Sequence, residues 1–317
     1  MNVFLIFLLN FFLVKNYLSI SSLLKVFDLN SKKKISLLGG AFLIVNICLA
    51  YFLFYLDFVP YEHFYRINVG LLIFAMFIIG FVDDKIKINP AFRIVITFFL
   101  IFFLYDESYL VQKINFSFVN SNLFLIENKD LSLFFTIFCI LSFVNALNFF
   151  DGINLQVILY SILCIIYLLF LEYSWFLIVL LLSLSFFSYL NYQNKSFLGD
   201  SGVYVLGTVI SISVINLHNR NLMYADQIIF LFLLPGFEII RLFLERIFKK
   251  KNPLLGDNEH IHHLIKKKFR TSTAFLVVIY SFSPIIFYEI GFSKLAIFMF
   301  MFFSYLILIL FLKNENK

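Results

Sequence analysis

Eleven apolar runs, most of them long enough to cross a lipid bilayer, are the feature that most constrains the fold of this chain. A helix needs about 20 apolar residues to span the hydrocarbon core, whereas a transmembrane β-strand alternates apolar and polar residues. The runs do not alternate, so they predict an all-α, polytopic integral membrane protein with about eleven transmembrane helices, ten being the alternative. They cover residues 3–23, 36–56, 67–82, 91–105, 131–148, 155–171, 175–191, 203–217, 227–247, 274–290 and 294–312.

Composition and loop charge place the chain relative to the membrane. Of the 317 residues, 62% are hydrophobic and 14% are charged, whereas a soluble domain is about half apolar and a quarter charged. Most of the 25 lysines and arginines lie in loops that follow odd-numbered runs. Because cytoplasmic loops carry the excess of positive charge, these loops are predicted to be cytoplasmic and the N-terminus to lie outside.

Residues 1–317 are predicted to form one integral membrane domain with two local irregularities. Lys15 interrupts the first run, so that helix is expected to be short and to continue as an interfacial segment. The polar stretch of residues 106–130 is long enough to hold a short hairpin around Ile114–Val119.

Four polar segments stand at the ends of apolar runs, and each is separated from the next by two runs. An even number of crossings returns the chain to the same membrane face, so all four are predicted to meet on the cytoplasmic side. They are Gly80–Asp84, Asn145–Asn154, Phe197–Gly202 and His260–His263.

The adjacent carboxylates of Asp83 and Asp84 end the third run. A helix C-terminus favours cations, so an acid pair is poorly placed there unless it has another task. Acidic groups in membrane segments commonly serve metal or proton chemistry. The alternative is a solvated helix end, with Pro90 opening the next helix at its first turn.

The second segment combines amides with one carboxylate. Asn148 and Asp151 are three residues apart, so on a helix end they share a face, and Gly152 permits a sharp turn. Polar groups near the hydrocarbon need partners. A binding site and hydrogen bonding between helices explain these residues equally well.

The third segment precedes the eighth run and carries Asp200. The backbone N–H groups and dipole of a helix N-terminus favour an anion. Asp200 can hold a divalent cation, because Mg²⁺ takes one or two protein carboxylates together with substrate phosphates. The alternative is that Asp200 and Ser201 cap the helix.

The fourth segment lies in a basic loop at about residues 248–272. His260, His262 and His263 stand between Lys249–Lys251 and Lys266–Lys268, and these cations should oppose protonation of the histidines. A zinc site lacks a cysteine or a clear fourth ligand. The loop is better interpreted as a phosphate-binding segment, although attraction to anionic lipid headgroups explains the outer lysines.

The four patterns in this order, G-x-x-D-D, N-x-x-N-x-x-D-G-I-N, F-L-G-D-S-G and H-I-H-H, resemble the polyprenyl-phosphate N-acetylhexosamine-1-phosphate transferases of glycosyltransferase family 4. Ile261 interrupts the histidines, which resembles the branch acting on undecaprenyl phosphate and UDP-N-acetylglucosamine more than the phospho-MurNAc-pentapeptide translocase.

The resemblance implies a Mg²⁺-dependent transferase, with Mn²⁺ as an alternative, in the inner (plasma) membrane of a bacterium. It would move an N-acetylhexosamine-1-phosphate from a UDP-sugar to a polyprenyl (undecaprenyl) phosphate, releasing UMP, to initiate a cell-envelope glycan. Transfer of phospho-MurNAc-pentapeptide in peptidoglycan synthesis is the alternative. The expected partners include no nucleic acid, and a homodimer is left open.

An ion-coupled transporter is the alternative of a different class. Transporter carboxylates lie near the bilayer midplane, whereas these stand at the ends of the runs.

By position, the resemblance also assigns roles to residues. Asn154 stands where most bacterial members have aspartate, and Glu238 where aspartate is usual on the ninth run, near Pro235 and Arg241. The resemblance implies catalytic roles for Asp83, Asp84 and Asp151. It implies nucleotide-sugar binding by Lys34, Asn148, Phe197, His260, His262 and His263. It implies Mg²⁺ coordination by Asp200 and Asn154.

Overall fold

A computed structural model of the chain describes residues 2–28, 35–56, 59, 62–118, 123–124, 128–250, 252, 259–268 and 273–313. The α-helices are α1 (Asn2–Lys15), α2 (Tyr17–Leu24), α3 (Gly39–Tyr55), α4 (Ile67–Ile86), α5 (Pro90–Phe103), α6 (Lys129–Phe150), α7 (Gln156–Leu171), α8 (Trp175–Tyr192), α9 (Gly199–Asn219), α10 (Ala225–Leu231), α11 (Leu233–Phe248), α12 (Ile261–Lys268), α13 (Thr273–Ile290) and α14 (Lys294–Lys313). The strands are β1 (Ser36–Leu37), β2 (Lys113–Ile114), β3 (Leu123–Phe124) and β4 (Ser196–Phe197), and short 3₁₀ turns lie at His63–Tyr65 and Glu107–Tyr109.

Each predicted apolar run contains a helix, and this confirms an all-α membrane protein. Among the described residues, six helices are long and apolar enough to cross a membrane singly, namely α4, α6, α8, α9, α13 and α14. The pairs α1–α2 and α10–α11 are bent by 71° and 66°, and counting each pair as one span gives eight. The helices α3, α5 and α7 are apolar but shorter. The predicted break at Lys15 is confirmed by the bend between α1 and α2.

Helix α9 is the centre of the bundle, because its apolar window is buried along its whole length. Helices α3, α4 and α6 pack against it. Glycines permit this approach: a Cβ on Gly80 would lie 2.4 Å from Ser201 Cα, and one on Gly207 would lie 2.9 Å from Val144 Cγ2. Small residues commonly allow helices to approach this closely in membranes. The backbone of α9 is therefore fixed on several sides.

A parallel pair of short strands fixes the segment that enters α9. Strand β1 pairs with β4 in the register Ser36 to Ser196 and Leu37 to Phe197, and Ser36 Oγ donates to Lys195 O at 3.0 Å. The sequence did not predict these strands, which form between segments about 160 residues apart. A short antiparallel pair forms in the predicted polar stretch, but β2 pairs with β3 at Leu123–Phe124, beyond the predicted bounds of Ile114–Val119. Val119 lies outside the described residues.

Two boundaries differ from the prediction. Helix α9 begins at Gly199, not near residue 203, and its N-cap residue Leu198 makes no side-chain cap. The alternative that Asp200 and Ser201 cap this helix is therefore wrong, because both lie inside its first turn. Within the stretch predicted to be a loop at 248–272, Ile261–Lys268 form the helix α12, whose apolar residues Ile261, Leu264 and Ile265 are buried.

Candidate active site

Two adjoining cavities lie where the four polar segments come together. Their volumes are about 390 Å³ and about 360 Å³, and they share a wall that includes Lys87, Asp151, Asp200 and His263. Of the predicted site residues, Lys34 lies outside the described part of the chain. The other ten line one cavity or both: Asp83, Asp84, Asn148, Asp151, Asn154, Phe197, Asp200, His260, His262 and His263.

Asp200 stands at the shared wall, in the first turn of α9. Its Oδ1 accepts a hydrogen bond from Asn148 Nδ2 at 2.5 Å, and its Oδ2 accepts from Lys87 Nζ at 3.1 Å. The carboxylate is thus held between a neutral donor from α6 and a cation that follows α4. An oxygen donor fixed in this way is suited to bind a metal ion.

Asp84 is a residue of α4, but its carboxylate lies against the N-terminus of α9. Its Oδ1 accepts from Asp200 N at 2.7 Å, and its Oδ2 accepts from Ser201 N at 3.1 Å and from Ser201 Oγ at 2.7 Å. Gly199 permits the approach, since a Cβ there would lie 2.7 Å from Asp84 Oδ2. A helix N-terminus favours an anion. Here that anion is supplied by the protein, so the geometry assigns Asp84 to positioning Asp200.

Asp83 is buried and already paired. It accepts from Arg93 Nη1 at 2.5 Å and from Ile88 N at 2.6 Å. Arg93 Nη2 also donates to Asn148 Oδ1 at 3.3 Å, and this contact links Asp83 to the partner of Asp200. The ion pair leaves Asp83 less suited to remove a proton than to hold Arg93 in place.

Sequence reasoning assigned no role to Arg93 or Lys87, both of which line the smaller cavity. Arg93 had a detectable signal: it lies in the first turn of an apolar helix, where the dipole disfavours a cation, so it must have a partner. Lys87 adopts a left-handed conformation with φ 49°. Nothing in the sequence around it indicates that conformation or its contact with Asp200.

Asp151 directly follows α6, and cavity solvent reaches its side chain. The surrounding protein nevertheless withdraws the carboxyl from bulk water, and this desolvation, followed by repulsion from Asp200 and Asp84, raises the pKa of Asp151 to about 7. Lys87 acts in the opposite direction. The carboxyl therefore exchanges protons close to neutral pH.

His262 packs directly against the turn after α6. A Cβ on Gly152 would lie 1.7 Å from His262 Nε2, so only glycine admits the imidazole. The residue is 1% exposed, and its Nε2 has no hydrogen-bond partner among the described residues. Desolvation, followed by the charges of His263, His260 and Lys266, lowers the pKa of His262 to about 2. The predicted opposition to protonation is supported for His262, but burial contributes most and Lys266 is the last of the causes.

Asn154 and Phe197 face the larger cavity from two connected turns. Asn154 Nδ2 donates to Asn194 Oδ1 at 2.5 Å and to Asn191 O at 3.3 Å, which leaves its carbonyl oxygen as the atom that could bind a metal ion. Asn191 Oδ1 in turn accepts from Leu155 N at 2.7 Å. Phe197 is half-buried and held in β4. Its predicted role in binding the nucleotide sugar stays a prediction.

The donor set fits a magnesium ion that is shared with a phosphate ligand. Within the described residues, no three His, Cys, Asp or Glu side chains converge into a preformed metal site. Magnesium does not require such a cluster, because it commonly combines one or two carboxylates with substrate phosphates. The carboxylates of Asp200 and Asp151 both line the shared wall, and the Lys87 ammonium shows that a cation is stable beside Asp200.

Comparison with known proteins agrees with this geometry. Residues 67–218 match the family model described as glycosyl transferase family 4. An undecaprenyl-phosphate alpha-N-acetylglucosaminyl 1-phosphate transferase of Thermotoga maritima is 35% identical over 109 residues, which are 34% of this chain and 35% of the relative. The match thus spans about a third of the length of the curated relative. The matched residues carry three of the four polar segments, so over this part of its length the chain is similar to glycosyl transferase family 4.

Proposed function

We propose that this protein transfers an N-acetylhexosamine-1-phosphate from a UDP-sugar to undecaprenyl phosphate, releasing UMP, as the initiating step of a cell-envelope glycan. The observation that carries the proposal is that Asp151, Asp200 and the histidines of α12 surround two joined cavities at the ends of membrane-length helices. A lipid phosphate enters such a site from the bilayer, while a nucleotide enters from water. The name of the Thermotoga relative supplies the substrate class.

In the proposed reaction, an oxygen of the lipid phosphate attacks the β-phosphorus of the UDP-sugar. The bond between that phosphorus and the bridging oxygen breaks, and UMP leaves with the oxygen. A phosphate monoester has a second pKa of about 6, so little proton removal is needed. Arg93, held by Asp83, is suited to orient the lipid phosphate, because a guanidinium binds phosphate oxygens in a fixed planar geometry.

Asp200 and Asp151 would hold Mg²⁺, with the carbonyl oxygen of Asn154 as a further candidate ligand. When bound, the ion would neutralise negative charge on the diphosphate. Lys87 donates to Asp200 and has a long, flexible side chain. We propose that Lys87 pairs with a phosphate oxygen when the nucleotide sugar binds.

The histidines of α12 are proposed to bind the diphosphate. Because His262 is neutral, it offers a single N–H donor rather than a positive charge. The lysines at Lys266–Lys268 add positive charge on the same helix. Binding at this end would therefore combine neutral hydrogen bonds with longer-range attraction.

The test is incorporation of label from radioactive UDP-N-acetylglucosamine into undecaprenyl phosphate by the purified protein in detergent. We expect organic-phase label and one UMP released for each lipid product. Label from UDP-MurNAc-pentapeptide alone would shift the function to peptidoglycan synthesis. Absence of lipid-linked label with any UDP-N-acetylhexosamine would refute the proposal.

We further propose that the site faces the cytoplasm of a bacterium, with the N-terminus outside. Cysteines introduced at Lys250 and at Lys113 should react with an impermeant thiol reagent from opposite sides of the membrane. Labelling of both from one side would contradict this topology.

A further inference from the structure

The histidine helix α12 is held from behind by three residues that lie away from both cavities. These are Glu238 and Arg241 on α11 and Tyr305 on α14, here called the α11 clamp. Glu238 Oε2 accepts from Ile261 N at 2.9 Å, and Arg241 Nη2 donates to Glu259 O at 2.8 Å. The clamp thus binds the backbone groups on either side of His260.

The α11 clamp is itself tightly connected. Arg241 donates from Nε to Glu238 Oε1 and from Nη2 to Glu238 Oε2, both at 3.0 Å. Tyr305 Oη donates to Glu238 Oε1 and accepts from Arg241 Nε at 2.8 Å. Glu238 is only 3% exposed. A buried ion pair with this many hydrogen bonds permits few alternative arrangements.

Helix α12 depends on such support because it has only eight residues. An isolated helix of that length is not stable in water, and the N–H groups of its first turn lack partners within the helix. Glu238 accepts one of them and places a negative charge where the helix dipole favours it. Apolar contacts with α13 and α14 secure the other face of α12.

We infer that Glu238, together with Arg241 and Tyr305, is a positioning residue that sets α12 against Gly152, so that the histidines reach the diphosphate of the nucleotide sugar. This inference rests on the proposed function. None of the three residues lines either cavity, so none contacts substrate there.

A specific pattern of effects follows, because the clamp supports one side of the site only. Asp83 and Arg93, which are proposed to orient the lipid phosphate, belong to α4 and α5. Loosening α12 should weaken nucleotide binding and leave the apparent affinity for undecaprenyl phosphate almost unchanged. A general loss of folding would affect both.

The experiment compares Glu238→Gln with Glu245→Gln. Glu245 lies on the same helix and accepts from Arg241 Nη1 at 2.8 Å and from Lys313. Its replacement weakens the same ion-pair cluster but leaves the bonds from the clamp to Ile261 and Glu259 in place. Amide hydrogen exchange of residues 261–268, the affinity for UDP, and the KM for each substrate are measured on the full chain in detergent.

We expect Glu238→Gln to raise α12 exchange and to weaken UDP binding by at least about tenfold each. The KM for undecaprenyl phosphate should stay within about twofold of the wild-type value. Glu238→Asp, which keeps the charge, should restore part of the protection. Should Glu238→Gln not fold, Tyr305→Phe removes one donor to Glu238 and should give a smaller shift in the same direction.

Unchanged α12 exchange in Glu238→Gln, or in Tyr305→Phe where that variant takes its place, would overturn the inference. The inference would also be overturned if Glu245→Gln changed α12 exchange and UDP affinity as much as Glu238→Gln does. The exchange measurement does not depend on turnover. A wild-type protein without transferase activity would therefore refute the proposed function, while the exchange data would still decide whether the clamp positions α12.

Discussion

Helices α9 and α12 both begin at the candidate site, and each has its N-terminus satisfied by a carboxylate from another helix. Asp84 of α4 binds the first turn of α9, and Glu238 of α11 binds the first turn of α12. Asp84 was predicted to be catalytic and Glu238 was given no role, yet each accepts backbone N–H groups at the start of a helix that lines the candidate site. A buried carboxylate near an active site therefore has to be examined for backbone N–H partners before it is called a catalytic residue.

The two helices differ in how much else holds them. Helix α9 has 21 residues, its apolar window is fully buried, and its backbone packs against Gly40 and Gly80. Helix α12 has eight residues. Apart from the clamp contacts, its packing against the site is made by the His262 side chain, which lies against Gly152. The proposed metal end of the site is thus built on backbone that is packed on several sides, and the proposed nucleotide end on an eight-residue helix that depends on the clamp and on α13 and α14. Substitutions at the two ends should affect different quantities.

The largest expected effect tests the metal end directly. Asp200→Asn preserves size and can still accept hydrogen bonds, but it removes the charge of the proposed Mg²⁺ ligand. Transferase activity should fall by orders of magnitude, while the thermal unfolding midpoint changes little. Near-normal turnover at ordinary Mg²⁺ would show that Asp200 does not bind the metal. Asn154→Asp is the companion variant and should be tolerated, since it adds a charge that Mg²⁺ favours.

Replacing a glycine by alanine next to each helix sharpens the comparison of α9 with α12. Gly80→Ala would place Cβ against the backbone of Ser201, so we expect a loss of about 1–3 kcal/mol in unfolding free energy. For Gly152→Ala, the three atoms nearest to the added Cβ would all belong to the His262 imidazole. This substitution should cost less than about 1 kcal/mol and raise the KM for the UDP-sugar about tenfold, equivalent to about 1.4 kcal/mol.

Thermal unfolding and steady-state kinetics on both glycine variants decide the point. If Gly152→Ala destabilised the fold as much as Gly80→Ala does, α12 would be as rigidly placed as α9. The proposed difference between the two ends would then be wrong.

The effect of Asp84→Asn is expected to be smaller. Asparagine keeps one acceptor oxygen but turns an amide N–H₂ toward donors, so the α9 cap is only partly lost, at about 1–2 kcal/mol. Activity should fall because Asp200 is less well placed, and higher Mg²⁺ should recover part of it. A complete loss of turnover that Mg²⁺ does not relieve, with stability unchanged, would return Asp84 to the role of a catalytic residue.

The positions of the helices, and the prediction that the four polar segments share one membrane side, came from the sequence because both follow from local properties. Apolar runs mark the helices, and loop charge together with an even number of crossings predicts that the four polar segments meet. The β1–β4 pairing and both carboxylate caps could not be predicted, since each depends on contacts between residues far apart in the chain. Helix α12 was missed because eight residues give too little periodicity to distinguish a helix from a loop.

The smallest predicted effect concerns pH and the burial of His262. In the folded protein its pKa is lowered to about 2, mainly by desolvation, whereas a histidine in the unfolded chain titrates near its ordinary value of about 6.5. Below about pH 6.5, His262 therefore binds a proton in the unfolded state but not in the folded state. This contribution to stability is present above pH 6.5 and is lost as the pH falls. Between pH 7 and pH 6 the loss should be about 0.7 kcal/mol.

Chemical unfolding in detergent at pH 7 and pH 6 measures this contribution of His262, and His262→Gln should remove it from the pH dependence. Glutamine does not titrate, and it retains both a donor and an acceptor, so the comparison isolates the proton. An identical pH dependence in the variant would mean that the imidazole is solvated in the folded state. Helix α12 would then lie further from Gly152 than the structure places it, and the contrast with the firmly packed α9 would be greater still.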